Sequence, residues 1–147
     1  MKKILLIFTI LSVLIFYRCE KEANVNNHNE NDGVFIHISH GSDDIHRLLM
    51  GLQMAVIMSE DKDVLVYFDI TGIDAVLNNS KDYEHANFPS SLTQLNKLLS
   101  KGVVVMACPT CLKAADKTES DLINGVKIAK KEEFFSFTKG RILTIDY

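Results

Sequence analysis

The sequence predicts a three-layer α/β domain over residues 33–147, built on a mostly parallel sheet of four to five strands flanked by helices. Three observations point to it. From Gly33 onward, compact apolar runs alternate with amphipathic segments. Strands separated by helical segments are parallel neighbours, because a parallel neighbour needs a crossover of that length. The 147 residues are 47% hydrophobic with only two prolines, which suits one packed domain and excludes a wholly disordered or collagen-like chain.

The elements run in order along the chain. Residues 33–39 (GVFIHIS) are rich in β-branched and aromatic side chains and read as the first strand. Residues 43–59 place Ile45, Leu48, Leu49, Leu52, Ala55, Val56 and Met58 close to helical period, with Ser42 or Asp43 to cap the start. Residues 63–69 (DVLVYFD) are almost continuously apolar, as a strand is when both sheet faces are covered. A short helix is expected at 71–77 and a polar surface loop at 78–89. An amphipathic helix at 90–100 puts Leu92, Leu95, Leu98 and Leu99 on one face and is closed by Gly102. Residues 103–107 (VVVMA) read as the most deeply buried strand. Helices are expected at 118–129 and 131–138, with a fifth strand as the alternative at 125–128, and a last strand at 141–146.

The chain ahead of this domain has a different character. Residues 1–3 are short and basic, and residues 4–17 (ILLIFTILSVLIFY) are almost unbroken apolar chain. As a helix the run covers ~21 Å, short of the ~30 Å core of a bilayer, and it reads as the apolar region of a signal peptide. Cys19 comes next, and residues 20–32 are a polar tether with five asparagines. Together these resemble a bacterial lipoprotein signal in which Cys19 is lipidated; the alternative is an uncleaved anchor. Either reading exports the protein to the cell envelope or periplasm, held to the membrane through its N-terminus.

Residues 1–19 hold three basic and no acidic side chains, which leaves 13 basic against 19 acidic in the rest, a net of −6. Phosphate binding needs clustered Lys and Arg, so a nucleic-acid partner is not expected. Three cysteines are too few for a disulfide scaffold.

Ligands meet open parallel sheets at the carboxyl ends of the strands, so the residues just past each strand are the informative ones. After the first strand come His40, Gly41, Ser42, Asp43, Asp44 and, one turn on, His46. The second ends in Asp69, with Thr71 and Gly72 close behind. The third runs into Cys108-Pro109-Thr110-Cys111. The only cysteines of the folded part thus fall where a site belongs. A thiolate at a helix start is stabilised by unpaired amides and becomes a usable nucleophile near neutral pH. Cys108 is the candidate nucleophile and Cys111 its resolving partner. An inert disulfide and a zinc site compete with this reading, but a structural zinc site wants four ligands and there is no second C-x-x-C. No metal is therefore expected. His40, Ser42, Asp43, Asp69 and Gly72 are the candidate substrate-binding residues. Turn and cap chemistry also accounts for Gly41, Ser42 and Asp43. His40 and His46 could add positive charge near a thiolate or shuttle a proton. His37 reads as a packed or edge histidine within its strand, His28 and His85 as loop residues without a signal. Asp69 could orient a histidine or bond loop amides.

The segments GVFIHISHGSDD, DVLVYFDITGID, LLSKGVVVMACPTC and LINGV, in that order, resemble the DsrE/DsrF-like sulfur-relay family across 33–147. The resemblance implies a small α/β domain with a parallel sheet, assembled as a homo-oligomer, trimer or hexamer. It implies a sulfur carrier or sulfurtransferase that needs no cofactor. Cys108 would accept sulfane sulfur as a persulfide and pass it on, with Cys111 as an accessory thiol. The partners would be sulfur donor and acceptor proteins or a small sulfur compound. Two other readings remain. One is a membrane-tethered, non-catalytic small-ligand-binding or assembly module with a structural Cys108–Cys111 disulfide. The other is a thioredoxin-like dithiol oxidoreductase, which the C-x-x-C spacing favours and its place after the third strand does not.

Overall fold

The structure, a computed structural model, describes residues 32–147. The signal segment with Cys19, and all of the tether but residue 32, lie outside the described residues. Five strands form one parallel sheet: β1 (Gly33–Ile38), β2 (Asp63–Phe68), β3 (Val104–Ala107), β4 (Lys127–Ile128) and β5 (Ile142–Asp146), in the spatial order β4-β3-β2-β1-β5. The helices are α1 (Ile45–Met58), α2 (Ser91–Ser100), α3 (Pro109–Ala114) and α4 (Lys131–Phe137), with a 3-10 helix at Ile70–Val76. The three-layer α/β arrangement expected from the sequence is present, with all five strands parallel. Among the described residues no helix is long and apolar enough to cross a membrane.

Strand alternation sorts the side chains onto two faces. Val34, Ile36 and Ile38 of β1 stand level with Val64, Val66 and Phe68 of β2, and Val105 and Ala107 of β3 continue the rows. All are buried, packed with Leu48, Leu49, Leu52 and Ala55 of α1 and Leu95 and Leu98 of α2. This is the main core. The alternate residues, Phe35 and His37 of β1, Tyr67 of β2 and Met106 of β3, point to the second face. There the cover is α4, which buries none of its own residues. Its Phe134 ring lies 5.7 Å from Phe35 and 5.2 Å, edge-on, from Tyr67.

The chain path explains this asymmetry. β1 to β4 are laid down outward in sequence order, and β5 then joins the far edge beside β1. The connection from β4 to β5 must span the whole sheet, and Phe134 shows that α4 does so over the second face. β1 is consequently the strand at which the order reverses, the place where open α/β sheets form a crevice at their carboxyl ends.

Three expectations are corrected. The cap of α1 is neither Ser42 nor Asp43 but Asp44, whose carboxylate accepts the Arg47 N–H at 3.1 Å. The short helix at 71–77 is a 3-10 helix beginning at Ile70. Most importantly, 118–129 is not a helix. It holds a three-residue 3-10 turn (Glu119–Asp121) and then β4, the fifth strand placed at 125–128 as the alternative. Leu122 and Val126, both buried, have helical spacing without a helix beneath it. Ile123 N–H donates to Val76 O at 2.9 Å, and Gly125 turns the chain with φ +97°, a region helical residues do not visit.

Candidate functional site

β3 delivers Cys108 to the edge of the sheet, where its N–H still donates to Phe68 O of β2 at 2.8 Å. Cys108 is then the cap of α3, with Pro109 in the first turn, where its missing N–H costs nothing. Its sulfur accepts the Cys111 N–H at 3.2 Å. The Cys111 sulfur in turn accepts the Ile70 N–H at 3.2 Å. Ile70 holds φ +47°, a left-handed conformation that costs a β-branched residue roughly 1–2 kcal/mol. Its side chain is 64% exposed, so no packing gain accounts for that conformation. The strained turn after β2 and the cap after β3 thus meet at the two sulfurs, and both cysteines are free here.

The surroundings drive the two thiols apart in acidity. Burial opposes ionisation of Cys108, but hydrogen bonds from the Cys111 thiol, the Tyr67 hydroxyl and the Cys111 and Thr110 amides outweigh it and lower its pKa. Burial raises the pKa of Cys111, and its hydrogen bond with Cys108 raises it further. Burial, reinforced by the bond to Cys108, also pushes Tyr67 above the ordinary phenol range, keeping it a donor. The arrangement biases ionisation toward Cys108 and away from Cys111 three residues on.

A second group lies on the same face. His37 stands in register with Tyr67 of β2 and Asp146 of β5. Its Nδ1 is 2.8 Å from Asp146 Oδ1, and its Nε2 is 2.9 Å from Asp69 Oδ1. Burial works against its charge, but the two carboxylates prevail and raise its pKa. The Tyr67 ring packs on it at 5.8 Å between centroids. Of these residues the sequence singles out only Asp69; it does not mark Tyr67, Ile70, His37 or Asp146 as members of the site. Their common signal is alternation parity: His37, Tyr67, Asp69 and Asp146 share the face opposite the aliphatic rows. Using that signal requires the strand order β2-β1-β5.

The loop after β1 forms a separate cluster. His40 Nδ1 meets Asp43 Oδ2 at 2.7 Å, and its Nε2 meets Arg47 Nη1 at 3.2 Å. Asp43 accepts the Gly41 N–H at 2.8 Å and the Thr71 hydroxyl at 2.6 Å. Its pKa falls far below the usual carboxylate range, chiefly through the Thr71 bond. Ser42 is exposed. Gly72 allows a backbone crossing, since a Cβ there would sit 2.3 Å from Ile38 O. These bonds tie the loop to the 3-10 helix, so His40, Asp43 and Gly72 brace the turn carrying Ile70. His46 stacks at 4.8 Å on His85, a loop histidine that carries no signal in the sequence. Among the described residues no group of three or more His, Cys, Asp and Glu side chains is placed to hold a metal ion.

A family model identifies the family, and two solved structures share the fold. A family model described as DsrE/DsrF-like matches residues 32–140. The ychN protein of E. coli superposes with a TM-score of 0.63 at 22% identity, covering 78% of this chain and 99% of that one. The MTH1491 protein of Methanobacterium thermoautotrophicum, of unknown function, superposes with a TM-score of 0.54 at 17% identity, covering 80% of this chain and 100% of the other. The uncharacterized protein MJ0989 of Methanocaldococcus jannaschii is 34% identical over 59 residues, 40% of this chain and 52% of its own, so the match spans about half the length of that relative.

Proposed function

The chain belongs to the DsrE/DsrF-like family, and from that premise we propose that it is an exported sulfur carrier using Cys108. The observation that carries the reading is the placement of two free thiols at the carboxyl edge, Cys108 Sγ accepting the Cys111 N–H and Cys111 Sγ the Ile70 N–H, both at 3.2 Å, in surroundings that favour ionisation of Cys108 over Cys111. The Cys108 thiolate attacks the outer sulfur of a donor persulfide R–S–SH. A new S–S bond forms, the old one breaks, and R–S⁻ leaves with the electron pair, so no external oxidant is needed. The product, Cys108–S–SH, passes its outer sulfur to an acceptor thiolate by the same exchange. Cys111 is the accessory thiol. As a thiolate it attacks the inner sulfur of the persulfide, releases HS⁻ and leaves a Cys108–Cys111 disulfide, and its raised pKa slows this unproductive branch.

The donor and acceptor are proteins or a small sulfur compound with an accessible persulfide or thiol. The apolar segment at 4–17 and Cys19 support export to the cell envelope, and the family supports self-association as trimers or hexamers. The test is peptide mass at Cys108 and Cys111, read separately from Cys19, on the full chain in detergent before and after a low-molecular-weight persulfide. A gain of one sulfur atom that reductant removes, absent in Cys108→Ser and retained in Cys111→Ser, is expected. Equal loading of the Cys108→Ser variant overturns the assignment.

A further inference from the structure

The charged group at the strand-order reversal touches both sulfurs through its neighbours, and it has no part in the exchange itself. His37 faces a carboxylate at each ring nitrogen, 2.8 Å and 2.9 Å away. A neutral imidazole has one N–H and a lone pair, so it satisfies one carboxylate and repels the other. Only the imidazolium is attracted to both. The contact with Asp69 is a confined charge contact, not a well-aligned hydrogen bond: His37 Nε2 and Asp69 Oδ1 lie 2.9 Å apart, both are buried, and neither makes a hydrogen bond to another described residue. Loss of the His37 proton leaves the Asp69 charge uncompensated in a partly buried place, a costly state.

Asp69 is also the residue from which that charge reaches the thiols. It directly precedes Ile70, whose N–H donates to Cys111 Sγ, and its charge raises the pKa of Tyr67 and of Cys111. These are the two side chains that favour the charged form of Cys108 most. The groups facing His37 are few. β1 contributes the uncharged Phe35 ring, β2 contributes Tyr67 and, at its end, Asp69, and β5 contributes Asp146. α4 reaches the row through Phe134, which carries no charge. We propose that His37, clamped between Asp69 and Asp146, is a positioning residue that masks the Asp69 charge and so keeps Cys108 a nucleophile at neutral pH. This deepens the carrier reading and rests on Cys108 being the reacting thiol.

The test is the pH dependence of Cys108 alkylation by iodoacetamide, monitored by peptide mass on the full chain in detergent. His37→Gln is expected to raise the Cys108 midpoint by up to about one pH unit, a fall of as much as about tenfold in rate at pH 7. Asp69→Asn in the same background should restore it, because the charge to be masked is gone. Should His37→Gln fail to fold, Asp146→Asn serves, since that side chain is exposed. It lowers the His37 pKa, so the loss of rate relative to the parent sets in at a lower pH. A folded His37→Gln or Asp146→Asn variant whose profile superposes on the parent overturns the proposal, as does a double variant no faster than His37→Gln alone. The carrier reading fails separately, if the parent Cys108 itself titrates as an ordinary thiol.

Discussion

The two faces of the sheet are covered unequally. One is sealed: Val34, Ile36, Ile38, Val66 and Phe68 meet α1 and α2, and every one of them is buried. The other buries Leu65 and Met106 but leaves Phe35, His37 and Tyr67 only partly buried, under one short helix with no buried residue of its own. A sheet commits apolar area to stability where two long helices can cover it. Titratable groups survive where a single crossover leaves room for them. The chemistry sits where the thin face meets the carboxyl edge.

Large truncations break this comparison most strongly. Phe68→Ala opens a cavity in the sealed face and is expected to cost about 3–5 kcal/mol in denaturant unfolding. Phe35→Ala, removed from the partly exposed row, should cost less than half as much by the same measurement. Equal costs would mean that the second face is covered as thoroughly as the first. Next in size is Gly72→Ala, whose new Cβ lies 2.3 Å from Ile38 O. About 1–3 kcal/mol of overpacking is expected, with a shifted Ile70 turn and slower alkylation of both cysteines.

The pH dependence sharpens the contrast, because ionisable pairs belong to the thin face. His37 has a folded pKa raised above its ordinary value of 6.5. Its stabilising contribution is therefore complete below about pH 6.5 and is lost as the pH rises through the folded pKa. With the ring partly exposed the effect should stay within about 1 kcal/mol. Urea unfolding of the parent and of His37→Gln should diverge below that window and converge above it. The smallest effect belongs to a pair outside both faces. Asp61→Asn removes the exposed 2.8 Å contact with Lys62 and should change stability by no more than about 0.5 kcal/mol.

Much of the frame is legible in the sequence because period and composition act locally. The four long apolar runs mark β1, β2, β3 and β5, and the position of Cys108 after β3 places the thiols at the carboxyl edge. The features the sequence hides depend on distant neighbours. Leu122 and Val126 mimic a helix at 118–129, but the bonds from Asn78 to Asp121 and from Ile123 to Val76, with the turn at Gly125, hold that stretch out of one. His37 looks like a packed strand histidine because Asp146 lies 109 residues away along the chain. Ile70 carries no sequence mark of strain, since its conformation comes from closing the 3-10 helix against α3.

The most direct measurement is the order in which the two cysteines react. Iodoacetamide alkylation of the reduced chain, resolved by peptide mass across pH 5–10, gives a separate midpoint for each thiol. Cys108 is expected to react first, with its midpoint below that of an ordinary thiol and Cys111 above it. Cys111 reacting first, or both sharing the midpoint of an unperturbed cysteine, would contradict that expectation.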